Sequence, residues 1–109
     1  MNRSITAEEF ISISKTVTVL DVRRKEDFDK ADDIVNGAEW KDPTLIDHWI
    51  DSIAQEKHIV IYCARGGGVS NSVVERLIAE GRHAQFVEGG IVALNDAQNI
   101  LVSKNIQPS

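Results

Sequence analysis

The sequence has a single cysteine, no clustered histidines, no excess of basic residues and no long apolar run, and each absence narrows what the chain can do. One cysteine excludes an internal disulfide and a cysteine-rich metal cage, and it removes any second, resolving thiol within the chain. His48, His58 and His83 are scattered with no neighbour at ligand spacing, so neither a metal site nor a cofactor is expected. A formal net charge of −5 without a basic stripe argues against nucleic acid and anionic membrane surfaces as partners, because both reward clustered Lys and Arg. No apolar stretch approaches the length that crosses a bilayer. The opening residues Met1 to Phe10 lack the basic segment and apolar core of a secretory signal, so a cytoplasmic location is expected. No internal repeat or low-complexity segment suggests an array.

What is present suits one globular unit. With 42% apolar and 27% charged residues over 109 positions, the chain is long enough to bury a core and too short for two, so residues 1–109 are read as a single domain without an internal linker. Thr6-Ala7-Glu8-Glu9 has the form of a capping box that opens a short helix after a brief strand. Val17 to Val22 is rich in β-branched residues and reads as a buried strand carrying Asp21 and Arg23 at its end. Arg24 to Asp33 is charged around one large anchor, Phe28, and reads as a short solvated helix or loop. Asn36-Gly37 marks a turn before an edge strand at Ala38-Glu39-Trp40, and Leu45, Ile46, Trp49, Ile50 and Ile53 form one stripe of a helix after Asp42-Pro43-Thr44. Further on, Val69, Val73, Val74, Leu77 and Ile78 share a helical face that ends at Gly81. Ala84 to Val87 is a strand closed by Glu88-Gly89-Gly90, Ile91 to Val102 gives a weaker final helix, and Lys104 to Ser109 should fray. Alternating strands and helices predict an α/β fold with a central, mostly parallel sheet and helices on both faces.

The run Ile59-Val60-Ile61-Tyr62-Cys63-Ala64-Arg65-Gly66-Gly67-Gly68-Val69-Ser70 is the most informative stretch. A continuous apolar strand, of the kind buried in the middle of a parallel sheet, delivers the cysteine into a glycine turn that opens a helix. Glycines let successive backbone N–H groups converge, and a nest of that kind backed by a helix N-terminus favours an anion, whether substrate or the thiolate itself. In parallel sheets ligands sit beyond the carboxyl ends of the strands, where Cys63 falls.

Together, Leu20-Asp21-Val22-Arg23 with Glu26 and Phe28, Asn36-Gly37-Ala38, Cys63 with Gly66, and Glu88-Gly89-Gly90-Ile91 resemble the motifs of a single-domain rhodanese, a sulfurtransferase, over most of the chain. Trp40-Lys41-Asp42-Pro43 and Val69-Ser70 are similar to a bacterial subgroup whose loop ends in Val-Ser. Gly68 stands where the common loop carries an arginine, the stretch from Cys63 to Gly81 suggests one extra loop residue, and Leu94 replaces an aromatic residue at the close of the last motif.

The resemblance implies a five-stranded sheet and a catalytic Cys63 that takes sulfur from thiosulfate or a similar donor as a persulfide. It then passes the sulfur to a thiophilic acceptor such as cyanide, a small thiol or a protein thiol. The amides of Arg65, Gly66, Gly67, Gly68, Val69 and Ser70 would surround the reacting sulfur. Arg65, the one cationic side chain of the loop, would fork onto the donor's oxygens. Asp21 and Arg23 read as a supporting pair that holds neighbouring loops, and Ser70 as the N-cap of the helix, with a hydrogen bond to Cys63 as the alternative. Two other readings stay open. One is a persulfide carrier or redox sensor built on an exposed thiol. The other is phosphate or arsenate chemistry on the same fold, which wants an arginine clamp six places after the cysteine, where this chain has Val69.

Overall fold

Short runs of β-branched residues pair in parallel, and the helices between them cover both faces of the sheet that results. In the computed structural model, which describes residues 3–53, 57–65, 68–95 and 100–104, the strands are β1 (Ser4–Ile5), β2 (Thr18–Asp21), β3 (Asp33–Val35), β4 (Glu39–Trp40), β5 (His58–Tyr62), β6 (His83–Val87) and β7 (Leu101–Ser103). The helices are α1 (Ala7–Ile13), α2 (Lys25–Lys30), α3 (Ile46–Trp49), α4 (Gly68–Ala79) and α5 (Gly90–Leu94). Five strands form one sheet in the order β1-β6-β5-β2-β4, with every pairing parallel. The central strand is β5, in register with β2 on one side (Leu20 opposite Ile61) and with β6 on the other (Ile61 opposite Phe86). Among the described residues no helix is long and apolar enough to cross a membrane.

Side chains of β5 alternate between two cores, as the period of a strand requires. Ile59, Ile61 and Cys63 join Leu20, Trp49, Ile50, Val73 and Leu77 on the face covered by α3 and α4, whereas Val60 and Tyr62 join Phe10, Val35, Ile91 and Leu94 on the other. The capping box at Thr6 is formed, with the Glu9 N–H donating to Thr6 Oγ1 at 3.1 Å and the Thr6 N–H to Glu9 Oε1 at 3.2 Å. Gly81 ends the described helix as expected, at a φ of 83° that disfavours any side chain.

Three expectations change. The final helix stops at Leu94 instead of running to Val102, and Leu101–Ser103 forms an antiparallel pair with Asp33–Val35 that the sequence reading did not include. That ladder uses backbone groups from segments about 70 residues apart, so local pattern carries no trace of it. The segment after Pro43 is a short α-helix flanked by two 3-10 turns, Pro43–Leu45 and Ile50–Ser52, and the tighter turn carries Leu45 out of the apolar stripe, leaving it 47% exposed. Ile78 likewise lies off the buried face of α4. The tail from residue 105 lies outside the described residues.

The two sheets are joined by a buried polar network. Arg23 donates from Nη2 to Asp21 Oδ2 at 2.6 Å and from Nε at 2.9 Å, and its backbone N–H reaches Asp21 Oδ1 at 2.9 Å. The Tyr62 hydroxyl donates to Asp21 Oδ2 at 3.0 Å and accepts from the Val35 N–H at 3.1 Å, while Arg23 Nη2 also donates to the Asp33 carbonyl. Burial by itself would lower the Arg23 pKa, but its hydrogen bond to Asp21 and the Asp21 charge outweigh that and raise it, with Tyr62 and Asp33 adding to the effect. Burial raises the Tyr62 pKa far above its ordinary 10.0, and the Asp21 charge pushes it the same way.

Asp21→Ala should therefore cost about 3–5 kcal/mol in denaturant unfolding, since it strands a buried guanidinium. A loss below about 1 kcal/mol would mean that the pair does not hold the fold. Tyr62 is the chain's one tyrosine, so its ionisation can be followed directly. Its proton is retained in the folded chain and released in the unfolded one, so stability is unaffected below pH 10 and falls by about 1.4 kcal/mol per pH unit above it from this group. Tyr62→Phe should remove that part of the alkaline slope. In the wild type, phenolate absorbance should arise only with unfolding, and its presence in the folded protein at pH 10 would contradict the assignment.

Candidate active site

Cys63 leaves the carboxyl end of the central strand through a backbone pinned from two sides. The Tyr62 carbonyl accepts from the Val22 N–H at 2.8 Å, and the Cys63 carbonyl accepts from the Ile91 N–H at 2.9 Å, at the first turn of α5. That turn depends on the Glu88-Gly89-Gly90 motif: Gly89 has a φ of 79° and Gly90 one of 61°, and a Cβ on Gly89 would stand 2.9 Å from the Ala93 Cβ. The closing motif thus lets α5 approach closely enough to fix the cysteine's own carbonyl. The Cys63 side chain is only 6% exposed, and it forms part of the wall of a surface cavity of about 610 Å³.

The sequence-predicted residues distribute around this cavity as follows. Arg65 is exposed and lines it, as do Gly68 and Val69, the first two residues of α4. Backbone N–H groups in the first turn of a helix have no partner within it, and α4 carries twelve residues of aligned peptide dipoles behind that turn, so this wall favours an anion. Gly66 and Gly67 lie outside the described residues. Arg23 lines the cavity too, but its guanidinium is committed to Asp21, and Asp21 itself is fully buried. Ser70 is not an N-cap: it is the third residue of α4 (Gly68–Ala79), inside the first turn of the described helix, and its Oγ is buried without a hydrogen-bond partner among the described residues.

Sequence reasoning missed part of the wall. Arg24, Asp27 and Ala31, from the turn after β2, from α2 and from its C-cap, line the cavity, as do Ile91 and Val92 from α5. Arg24 was dissolved in a charged segment read as a solvated face; its one signal was adjacency to Asp21-Val22-Arg23 at a strand's carboxyl end. A second cavity of about 830 Å³ adjoins the first and shares Arg24, Gly68 and Val69 with it. Its other walls include Lys25, Pro43, Thr44 and Arg76.

Known proteins give this arrangement a family. A rhodanese-related protein from Thermoplasma volcanium has a solved structure that superposes with a TM-score of 0.81 at 26% identity, covering 93% of this chain and 98% of that one. A rhodanese-like domain protein from Staphylococcus aureus is 32% identical, with a TM-score of 0.77 and coverage of 89% and 95%. A Rhodopseudomonas palustris protein described as a possible tyrosine phosphatase shares the fold at 21% identity, with a TM-score of 0.69 and coverage of 87% and 80%. No curated protein matches the sequence. The model of the rhodanese-like domain matches residues 6–97, a span that runs from the capping box of α1 past the end of α5 and takes in every wall of the cavity around Cys63, and the chain belongs to that family.

Proposed function

We propose that the chain is a sulfurtransferase that carries sulfur as a persulfide on Cys63. The observation that carries this reading is the placement of the only cysteine at the carboxyl end of the central strand, in a cavity walled by the N-terminus of α4 and by arginine side chains. The Cys63 thiolate attacks the outer sulfur of thiosulfate, a Cys63 Sγ–S bond forms as the donor's S–S bond breaks, and sulfite leaves with the electron pair. Cysteine persulfide and sulfite together carry the same charge as the thiolate and thiosulfate that entered. A nucleophile such as cyanide then attacks the outer persulfide sulfur, leaving as thiocyanate and restoring the thiolate.

The first step brings a dianion to an anion, so positive potential at the reacting atoms decides whether it proceeds. Backbone amides at the start of α4, which have no partner within the helix, supply it without reorganising, and Arg65 supplies a guanidinium that can fork onto two donor oxygens. Cys63 acts as nucleophile, Arg65 and the amides of residues 66–70 bind the donor, and Asp21 and Arg23 hold the turn that faces them. Acceptors of the sulfur are small thiophiles or a protein thiol, and the reaction calls for no metal or cofactor. Phosphoryl transfer is disfavoured because Val69, a partly buried residue in the first turn of α4, occupies the place where a phosphate clamp would need an arginine.

Incubation with thiosulfate should add the mass of one sulfur atom to the intact protein, and cyanide or dithiothreitol should remove it. Cys63→Ser should show no gain. Absence of a gain in the wild type, or hydrolysis of an aryl phosphate at Cys63, would displace this reading. A protein that loads once and does not turn over with cyanide would instead be a carrier. Arg65→Ala should raise the KM for thiosulfate by about tenfold, the loss expected for a charge-assisted hydrogen bond, with the fold intact by circular dichroism. Unchanged kinetics would retire that role for Arg65.

A further inference from the structure

The basic residues lining the two adjoining cavities differ in what already occupies them. Arg23 is buried against Asp21 at 2.6 Å, Lys25 pairs with Asp29 at 2.7 Å, and Arg76 pairs with Asp47. Arg24 and Arg65 alone among these cations make no ion pair and no side-chain hydrogen bond among the described residues. Both are exposed, and both line the cavity that contains Cys63. Arg24 also lines the larger groove, so it stands at their shared edge.

The backbone at Arg24 is fixed even though its guanidinium is uncommitted. The preceding residue is locked, with the Arg23 N–H on Asp21 Oδ1 and the Arg23 guanidinium on Asp21 Oδ2. The Arg24 carbonyl accepts from the Phe28 N–H at 2.9 Å, the first hydrogen bond of α2, and its side chain makes no cap. Phe28 in turn stacks on Trp40 at 4.8 Å between ring centroids, and the Trp40 Nε1 donates to the Arg23 carbonyl at 2.8 Å. A cation is therefore presented from a rigid base, and holding it against a ligand costs the entropy of one side chain and no loop ordering.

We propose that Arg24 is a second anion-binding and specificity-determining residue of this site, gripping the anionic end of the sulfur donor together with Arg65. This rests on the sulfurtransferase reading and adds to it a preference for donors that carry a terminal anionic group. Within the glycine loop Arg65 is the only cationic side chain, and Asp27, which lines the same cavity, offsets part of its field. A donor with two charges thus meets a net positive site only when Arg24 contributes from the β2–α2 turn.

The test separates this proposal from the reading on which it rests. Cys63 is alkylated with iodoacetate, an anion, and with iodoacetamide, its neutral counterpart; in each the thiolate carbon–sulfur bond forms as iodide leaves. Arg24→Gln should lower the iodoacetate-to-iodoacetamide rate ratio by about threefold to tenfold at low ionic strength, Arg24→Glu should lower it further, and Arg24→Lys should restore most of it. The difference should shrink as salt is added. In parallel, Arg24→Gln should raise the KM for thiosulfate by about fivefold with kcat little changed. An unchanged alkylation ratio, or a loss confined to kcat, would overturn the role of Arg24. A ratio that responds in a protein that takes no sulfur from thiosulfate would support the anion site while overturning the sulfurtransferase reading.

Discussion

One carboxylate ties the architecture together. Asp21 lies at the end of β2, fully buried, and its two oxygens receive the Arg23 guanidinium, the Arg23 backbone N–H and the Tyr62 hydroxyl. Through Tyr62 it reaches Val35, and through Arg23 it reaches Asp33, so a single side chain joins the central strands to the small antiparallel sheet. A buried charge is tolerable only when its lone pairs are satisfied, and here each oxygen is engaged. The arrangement is demanding, because removing one partner exposes every other to an uncompensated burial cost.

That demand has a consequence for the site. Strand alternation sends Tyr62 to the face of the network and Cys63 to the opposite one, so the residue that anchors the strand and the chain's one cysteine are neighbours in sequence that pack into different cores. The network immobilises the strand end without filling the space around the thiol. Opposite it, the glycine turn at Gly89 and Gly90 brings the α5 amide of Ile91 onto the Cys63 carbonyl. Cys63 is thus held at its backbone from both flanks, and it forms part of the cavity wall.

Much of this was legible in residue order. The apolar run before Cys63, the capping box at Thr6 and the stop at Gly81 are local signals, and local physics realises them. Asp21 and Arg23 stood out by their place at a strand end, and their bond to each other was anticipated. What escaped were features made by distant segments: the β3–β7 ladder, the Tyr62 hydroxyl as part of the Asp21 network, and the arrival of Arg24 at the cavity wall. Ser70 was misplaced because a serine before an apolar stripe has the same pattern whether it caps a helix or lies one turn within it.

The division between backbone and side-chain charge also bears on which chemistry the cavity suits. Amides at a helix start stabilise charge close to the strand end, where Cys63 lies, and they are indifferent to the shape of what lies farther out. Side-chain guanidinium groups act at longer reach and on planar pairs of oxygens. Phosphoryl transfer needs strong charge at the reacting group itself, whereas sulfur transfer from thiosulfate would put the oxygens on the neighbouring sulfur, two bonds from the atom attacked. Cations set outside the first turn of α4, on Arg65 and on the β2–α2 turn, with an uncharged Val69 inside it, fit the second geometry better than the first.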